Sequence, residues 1–418
     1  MNSELKSKER RQVVVIGAGP AGAIASALLK RRGRDVVVLE RQKFPRFSIG
    51  ESLLVHCLDF VAEAGMLEAV DAAGFQYKNG AAFARNGDYA DYDFGDRFTP
   101  GRPSTFQVQR ARFDKILADE AEKQGVEIRY EVEITGVSEP GPTGKRVVTA
   151  KAVNGGQVTE IETDFILDAS GFGRTLPKLL DLETPSKFPT RQAIFTHVAD
   201  HIPDGVFDRE KIRVTVHPEQ PDIWFWLIPF SGGRCSLGVV AAKEQLDRYV
   251  GPPDQRLRTL VAEDRGLASL LADAEWDTPV RELHGYAANV KSMFGPGFAL
   301  LGNAAEFLDP VFSSGVTIAM RSASMAVAVL DRQLAGESVD WKGEFELPLR
   351  KGVDCFRAYV EAWYDGRFQS IVFSKGQTPE IRRMISSVLA GYAWDERNPF
   401  VAEPQRRLNS IVAWVGAR

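Results

Sequence analysis

Cysteine is scarce in this chain: Cys57, Cys235 and Cys355 are the only three in 418 residues. They are odd in number and far apart, which excludes a disulfide framework and fits a reducing compartment, the cytoplasm. Among the five histidines only His197 and His201 stand four apart, on a segment with strand rather than helix signals, and there is neither H-x-H nor C-x-x-C, so the sequence offers no metal-ligand set. No run reaches the ~18 uninterrupted apolar residues of a spanning helix. Met1 to Gln12, dense in Lys, Arg and Glu, lacks the apolar stretch of a signal peptide. Excess charge is also missing: 52 Lys and Arg against 56 Asp and Glu give a net charge of -4. A basic field for nucleic acid is thereby excluded, and the expected ligand is a small molecule.

What is present is an ordinary globular composition, 44% hydrophobic and 26% charged. Val13 to Ile16 is a β-branched run of the kind that fills a buried parallel strand, followed at once by Gly17-Ala18-Gly19-Pro20-Ala21-Gly22. A helix is expected from Ala21 to Arg32, stopping at Gly33, then a strand from Asp35 to Leu39 with Glu40 at its end. In such a βαβ unit Gly17 permits the tight turn, Gly19 lets backbone approach a pyrophosphate and Gly22 lets helix pack on strand. Helix N–H groups face the anion, and Glu40 stands where a ribose hydroxyl acceptor belongs. FAD and NAD share this fingerprint. No second G-x-G-x-x-G follows, so the chain shows no separate site for a nicotinamide donor.

Beyond the unit, the pattern predicts two amphipathic helical stretches up to Ala73, a helix from Arg110 to Gln124, and β-alternation from Val126 to the buried strand Phe165 to Ala169. Strand signals follow at Ile194 to Val198, Arg213 to His217, Ile223 to Ile228 and Cys235 to Val240, then Phe298 to Leu301. A helix from Gly315 to Leu334 and amphipathic stretches Val353 to Tyr364 and Pro379 to Ala390 complete the chain. The expected class is α/β: a Rossmann-like dinucleotide-binding domain, an antiparallel-sheet substrate domain and a C-terminal helical cap. The expected division is 1–75, 106–184 and 284–335 for the first, 76–105 and 185–283 for the second and 336–418 for the cap.

Two further segments, with the glycine fingerprint, narrow the cofactor to FAD. Gly302-Asn303-Ala304-Ala305-Glu306-Phe307-Leu308-Asp309-Pro310 resembles the second FAD fingerprint of the p-hydroxybenzoate-hydroxylase-like FAD monooxygenases, and Asp168-Ala169-Ser170-Gly171 resembles their Asp-Gly element. Within that superfamily the chain resembles the flavin-dependent halogenases of phenol and pyrrole type over nearly its whole length. The resemblance is carried by Pro45-Arg46-Phe47-Ser48-Ile49-Gly50-Glu51-Ser52-Leu53-Leu54, by Lys78 before Asn79-Gly80, by Trp224-Phe225-Trp226-Leu227-Ile228-Pro229, and by Asp309-Pro310-Val311-Phe312-Ser313-Ser314-Gly315-Val316.

The resemblance implies an enzyme of secondary metabolism in which reduced FAD, supplied by a separate reductase, reacts with oxygen to give a C4a-hydroperoxide. Halide attacks it, and hypohalous acid travels to Lys78 beside an electron-rich aromatic substrate: a phenol, a pyrrole or an aryl-polyene-like ring, free or on an acyl carrier protein. It further implies that FAD is contacted by Gly17, Gly19, Pro20, Ala21, Gly22, Glu40 and Arg41, by Arg46, Ser48, Gly50, Glu51 and Ser52, by Arg110, Asp168 and Gly171, and by Gly302, Asn303, Asp309 and Pro310. Ser313, Ser314, Gly315 and Val316 would hold the halide, and Phe83 and Phe312 the substrate.

The residues themselves leave alternatives. An amine can fix where hypohalous acid meets a ring, and burial would lower its pKa; Lys78 also suits a solvated turn beside Asn79-Gly80. Trp224 and Trp226, two apart on a strand, share a face, as a wall between flavin and substrate or as core. The helix start at Ser313 to Gly315 suits a halide or the O2–N1 edge of the flavin. Phe312 stands where tryptophan halogenases carry glutamate, and Glu306 where many relatives have a small residue, so a divergent branch is open. The competing readings are an FAD-dependent monooxygenase or reductase of the same fold, and a flavin-binding protein without turnover.

Overall fold

The run Val13–Ile16 is apolar on every side and can be satisfied only inside a sheet covered on both faces. In the computed structural model, which describes residues 6–186 and 188–416, it lies there, at most 4% exposed. The sheet runs Phe298–Leu300, Val158–Asp168, Lys6–Ile16, Val36–Glu40, Glu127–Tyr130, all parallel, with Phe294–Gly295 antiparallel at one edge. Val14 stands level with Ile166 on one side and Val37 on the other. The first strand begins at Lys6, well before Val13. Its polar half pairs with Val158–Thr163, which itself carries a hairpin of Val132–Val137 and Arg146–Ala152. Helix Pro20–Arg31 packs beside Arg110–Lys123 and Gly315–Leu334.

A second sheet has seven strands in the order Arg281–His284, Arg191–Ala199, Arg234–Ala242, Trp224–Phe230, Lys211–Val216, Gly80–Arg85, Asp88–Asp93. It is antiparallel except where Lys211–Val216 meets Gly80–Arg85. Because side chains alternate along a strand, its two faces differ. Ile194, Val198, Phe225, Leu227, Leu237 and Val239 form one face, under helices Pro253–Glu263 and Arg265–Leu270 through Leu257, Leu260, Val261 and Leu267. These helices fall in a stretch whose strand signals alone were conspicuous in the sequence. The other face presents Phe195, Trp224, Trp226, Ile228, Val214 and Phe83 to the rest of the molecule.

The C-terminal region is helical: Leu347–Tyr364, Arg367–Val372, Pro379–Leu389, Pro399–Ala402 and Pro404–Gly416. It closes on the second sheet through aromatic edges, with Trp363 5.7 Å from Phe83 and Phe368 5.3 Å from Phe312. A two-stranded ribbon, Gln76–Lys78 with Thr105–Gln107, is stitched to the loop between the two sheets: Leu53 N–H donates to Phe106 O (3.1 Å) and Val108 N–H to Glu51 O (2.7 Å). Among the described residues no helix is long and apolar enough to cross a membrane.

Candidate active site

The carboxyl ends of the parallel strands and the aromatic face of the second sheet enclose a cavity of about 580 Å3. Open α/β sheets bind ligands at that edge. Gly17 sits there at φ +92°, where a Cβ would come 2.8 Å from Ala169 O; at Gly22 a Cβ would come 1.8 Å from Gly17 O. Side chains are thus barred from the turn. Gly19, Pro20 and Ala21 line the cavity at the N-terminus of helix Pro20–Arg31, whereas Gly22 serves the packing beneath it. Glu40, 5% exposed, accepts from Ala18 N (2.8 Å) and Gln42 N (2.9 Å), which fixes its carboxylate at the cavity edge beside the exposed Arg41.

The loop Pro45–Leu54 crosses the cavity. Arg46 hangs over the glycine turn, its Nη2 3.3 Å from where a Gly19 Cβ would be, steadied by Asp114 (3.3 Å). Arg110 also reaches the wall, but its guanidinium is committed: Nε and Nη2 to Asp114 (2.7 and 3.0 Å), Nη1 to Ile49 O (2.7 Å). Its work is to clamp the loop that places Ser48, Gly50, Glu51 and Ser52 on the cavity. Gly171 and Asn303 line the opposite wall. Asp168 and Gly302 lie behind it: Asp168 is fully buried and accepts from Ser170 N (2.9 Å) and Leu176 N (2.7 Å), shaping the 169–176 turn from within. Arg174, which drew no attention in the sequence, clamps the same wall by donating to Glu183 (2.9 Å) and to the carbonyls of Asn303 (3.2 Å) and Asn289 (2.8 Å).

At the far end the 20-residue helix Gly315–Leu334 points its N-terminus into the cavity. Ser313 (φ +55°), Gly315 and Val316 line it; Ser314, 2% exposed, does not. Pro310 borders the cavity, but the Asp309 carboxylate faces away from it. One oxygen accepts from Val311 N (3.0 Å) and the other from Tyr364 O–H (2.8 Å). Burial raises the Asp309 carboxyl to about 6, against the two hydrogen bonds and Arg191. Among the described residues the carboxylate braces the turn and the cap. Glu306 likewise faces the cap, 2.5 Å from Arg357.

Trp224 and Trp226 both line the cavity. The Trp226 indole lies flat over Gly238, where a Cβ would come 2.2 Å from the ring, and its N–H donates to Ser236 Oγ (3.0 Å). Trp224 N–H donates to Tyr364 Oη (3.0 Å), which donates in turn to Asp309. Arg191 stacks 3.4 Å from the Tyr364 ring centroid. Tyr364 gave no signal in the sequence beyond closing an amphipathic stretch.

Lys78 lies outside the cavity lining, on the ribbon behind the loop. It is 1% exposed, with Nζ donating to Leu53 O (2.7 Å) and lying 5.2 Å from the Phe94 ring centroid. The solvated-turn alternative is thereby overturned. Burial lowers the amine to about 7, with the Cys57 thiol beside it acting the other way. Phe83 and Phe312 also lie outside the cavity. They belong to one buried aromatic cluster with Tyr359, Trp363 and Phe368, in which Tyr359 Oη and Trp363 Nε1 have no hydrogen-bond partner among the described residues.

A glycine turn closed to side chains, a fixed carboxylate at the cavity edge, a guanidinium over the turn and a helix N-terminus at the other end form a set suited to FAD. The comparisons agree. The FAD binding domain family matches residues 10–342. A flavoprotein/dehydrogenase from Cytophaga hutchinsonii superposes with a TM-score of 0.93 at 43% identity, covering 98% of this chain and 99% of that one. The 1H-pyrrole-2-carbonyl peptidyl-carrier-protein chlorinase of Pseudomonas fluorescens is 29% identical over 96% of this chain and 93% of its own. A flavin-dependent halogenase of Penicillium aethiopicum is 30% identical over 84% of this chain and 70% of its own. The chain belongs to the flavin-dependent halogenase family of FAD-binding flavoproteins. It is an FAD-dependent oxidoreductase.

Proposed function

We propose that the protein halogenates an electron-rich aromatic ring, a phenol or a pyrrole, with the pyrrole presented on a carrier protein. The reading is supported above all by Lys78: an amine lowered into the neutral range, dry, and separated from the flavin cavity by the loop residues Glu51 to Leu53. When bound in its reduced form, FAD supplies two electrons to dioxygen, and a flavin reductase supplies the reduced FAD. In this reading residues 1–75, 106–184 and 284–335 hold FAD, while 76–105 and 185–283 hold substrate under the cap 336–418, in a cytoplasmic enzyme.

The chain's own residues divide the work. Gly17 to Ala21, Glu40 and Arg46 hold the nucleotide half, and Ser313, Gly315 and Val316 offer backbone N–H groups to halide. Trp224 and Trp226 would keep the aromatic substrate away from the flavin end of the cavity. Lys78 receives hypohalous acid, by hydrogen bond or as a haloamine, and hands the halogen to a ring lodged against Phe83 and Phe312. The apolar character of this buried aromatic cluster favours an uncharged ring over a zwitterionic amino acid. The pyrrolyl substrate in the name of the Pseudomonas fluorescens relative favours a carrier-bound ring.

The test supplies reduced FAD, oxygen and bromide with a simple phenol and with a pyrrolyl carrier protein, and weighs products by mass spectrometry. A brominated product is expected. Insertion of oxygen, or consumption of reduced FAD with a substrate merely oxidised, would support the monooxygenase or dehydrogenase reading that the Cytophaga hutchinsonii name keeps in view.

A further inference from the structure

Glu51 lines the cavity yet is 1% exposed. A carboxylate at that depth is costly without a partner. Its partner is His197, with Nε2 2.9 Å from Oε1 and 3.1 Å from Oε2. An ionised carboxylate only accepts, so Nε2 donates. His197 is two residues from the cavity-lining Phe195 on the same strand, hence on the same face. Its ring stands 6.1 Å from Phe47 and 5.2 Å from Phe230, level with Ser236 across the sheet, and its side chain keeps 18% exposure. The pair thus has one end in the cavity and the other toward water. The charged groups around it are Arg281, 3.9 Å over the Phe47 ring, and Arg209, which joins Asp200 to the Phe230 carbonyl.

We infer that Glu51 and His197 form a proton inlet to the flavin cavity. Converting anionic reduced flavin, dioxygen and halide into oxidised flavin, hypohalous acid and water takes up two protons from outside the flavin. Insertion of one oxygen into a substrate, with the other leaving as water, takes up one. Electrons come from the reduced flavin throughout. His197 takes a proton from water at Nδ1, its Nε2 proton passes to a Glu51 oxygen, and Glu51 gives it to the oxygen being reduced. Imidazole can take a proton at one ring nitrogen while giving one from the other, which suits this task. The inlet loads when the flavin becomes anionic and unloads when oxygen is consumed. The inference rests on flavin-oxygen chemistry alone and holds whether the product is halogenated or hydroxylated.

Two measurements test it. Anaerobic reduction of the FAD-loaded enzyme in weak buffer with a pH indicator counts protons per two electrons, with no oxygen, halide or substrate present. The wild type is expected to take up about one proton more than His197→Asn. His197→Gln, a second variant that retains a donor, is expected to share that loss and to bind FAD as the wild type does. In stopped flow, reoxidation by oxygen is expected to slow at least about tenfold in either variant and to recover with added imidazole. Equal proton counts in wild type and both variants overturn the inference. An intact difference in count without any brominated product upholds the inlet and counts against the halogenase reading instead.

Discussion

At the scale of single residues, two buried groups are shifted by the same cause. Burial disfavours the charged form, lowering the Lys78 amine to about 7 and raising the Asp309 carboxyl to about 6. For Lys78 the sign is unfavourable to stability: the cost is full below pH 7 and fades as pH rises toward the ordinary lysine range. Lys78→Met should therefore stabilise the protein at pH 6, on the order of 2 kcal/mol after the lost hydrogen bond to Leu53 is taken off, and hardly at all at pH 10. Urea unfolding at the two pH values checks this. Tyr364→Phe removes two hydrogen bonds at once, from Trp224 and to Asp309. A loss of roughly 1–2 kcal/mol is expected, together with a shift in Trp224 fluorescence and a further rise of the Asp309 carboxyl. An unchanged spectrum would mean that Tyr364 does not hold the indole.

At the scale of elements, the βαβ unit was legible because its glycines do jobs no other residue can. Turn, helix, second strand and Glu40 fell within a residue of their expected places, while the first strand begins seven residues early, at Lys6. The loop Pro45–Leu54 was legible as a motif, but Arg110 as its clamp and Arg174 as the clamp of the opposite wall were not, since they reach backbone carbonyls up to 131 residues away in sequence. The hydrogen bond from Tyr364 to Asp309, 55 residues apart, was not legible either. His197 is a lone histidine on a strand, and sequence gives no reason to pair it with Glu51. The strand geometry also makes a prediction. Gly238 leaves room for the flat Trp226 indole, so Gly238→Ala must push that ring toward the cavity. FAD affinity should fall about tenfold, or 1.4 kcal/mol, by fluorescence titration; unaltered affinity would show that the ring can yield elsewhere.

At the scale of the whole molecule, the cavity is walled by both sheets and the crossing loop, and the cap reaches its wall through Tyr364. A ligand bound there joins parts distant in sequence. Saturating FAD should raise the unfolding temperature of the whole chain in one transition, by an amount that grows with free FAD; two separate transitions, one of them insensitive to FAD, would show that the parts are not coupled. The aromatic cluster beyond Trp224 and Trp226 and the buried amine of Lys78 lie off that cavity, which is the arrangement a freely moving oxidant requires.

The most direct measurement compares wild type with Lys78→Ala, each given reduced FAD, oxygen, bromide and the aromatic substrate, following flavin reoxidation and brominated product together. The account predicts brominated product from the wild type only, with flavin reoxidation equal in both. Undiminished brominated product from Lys78→Ala would contradict it.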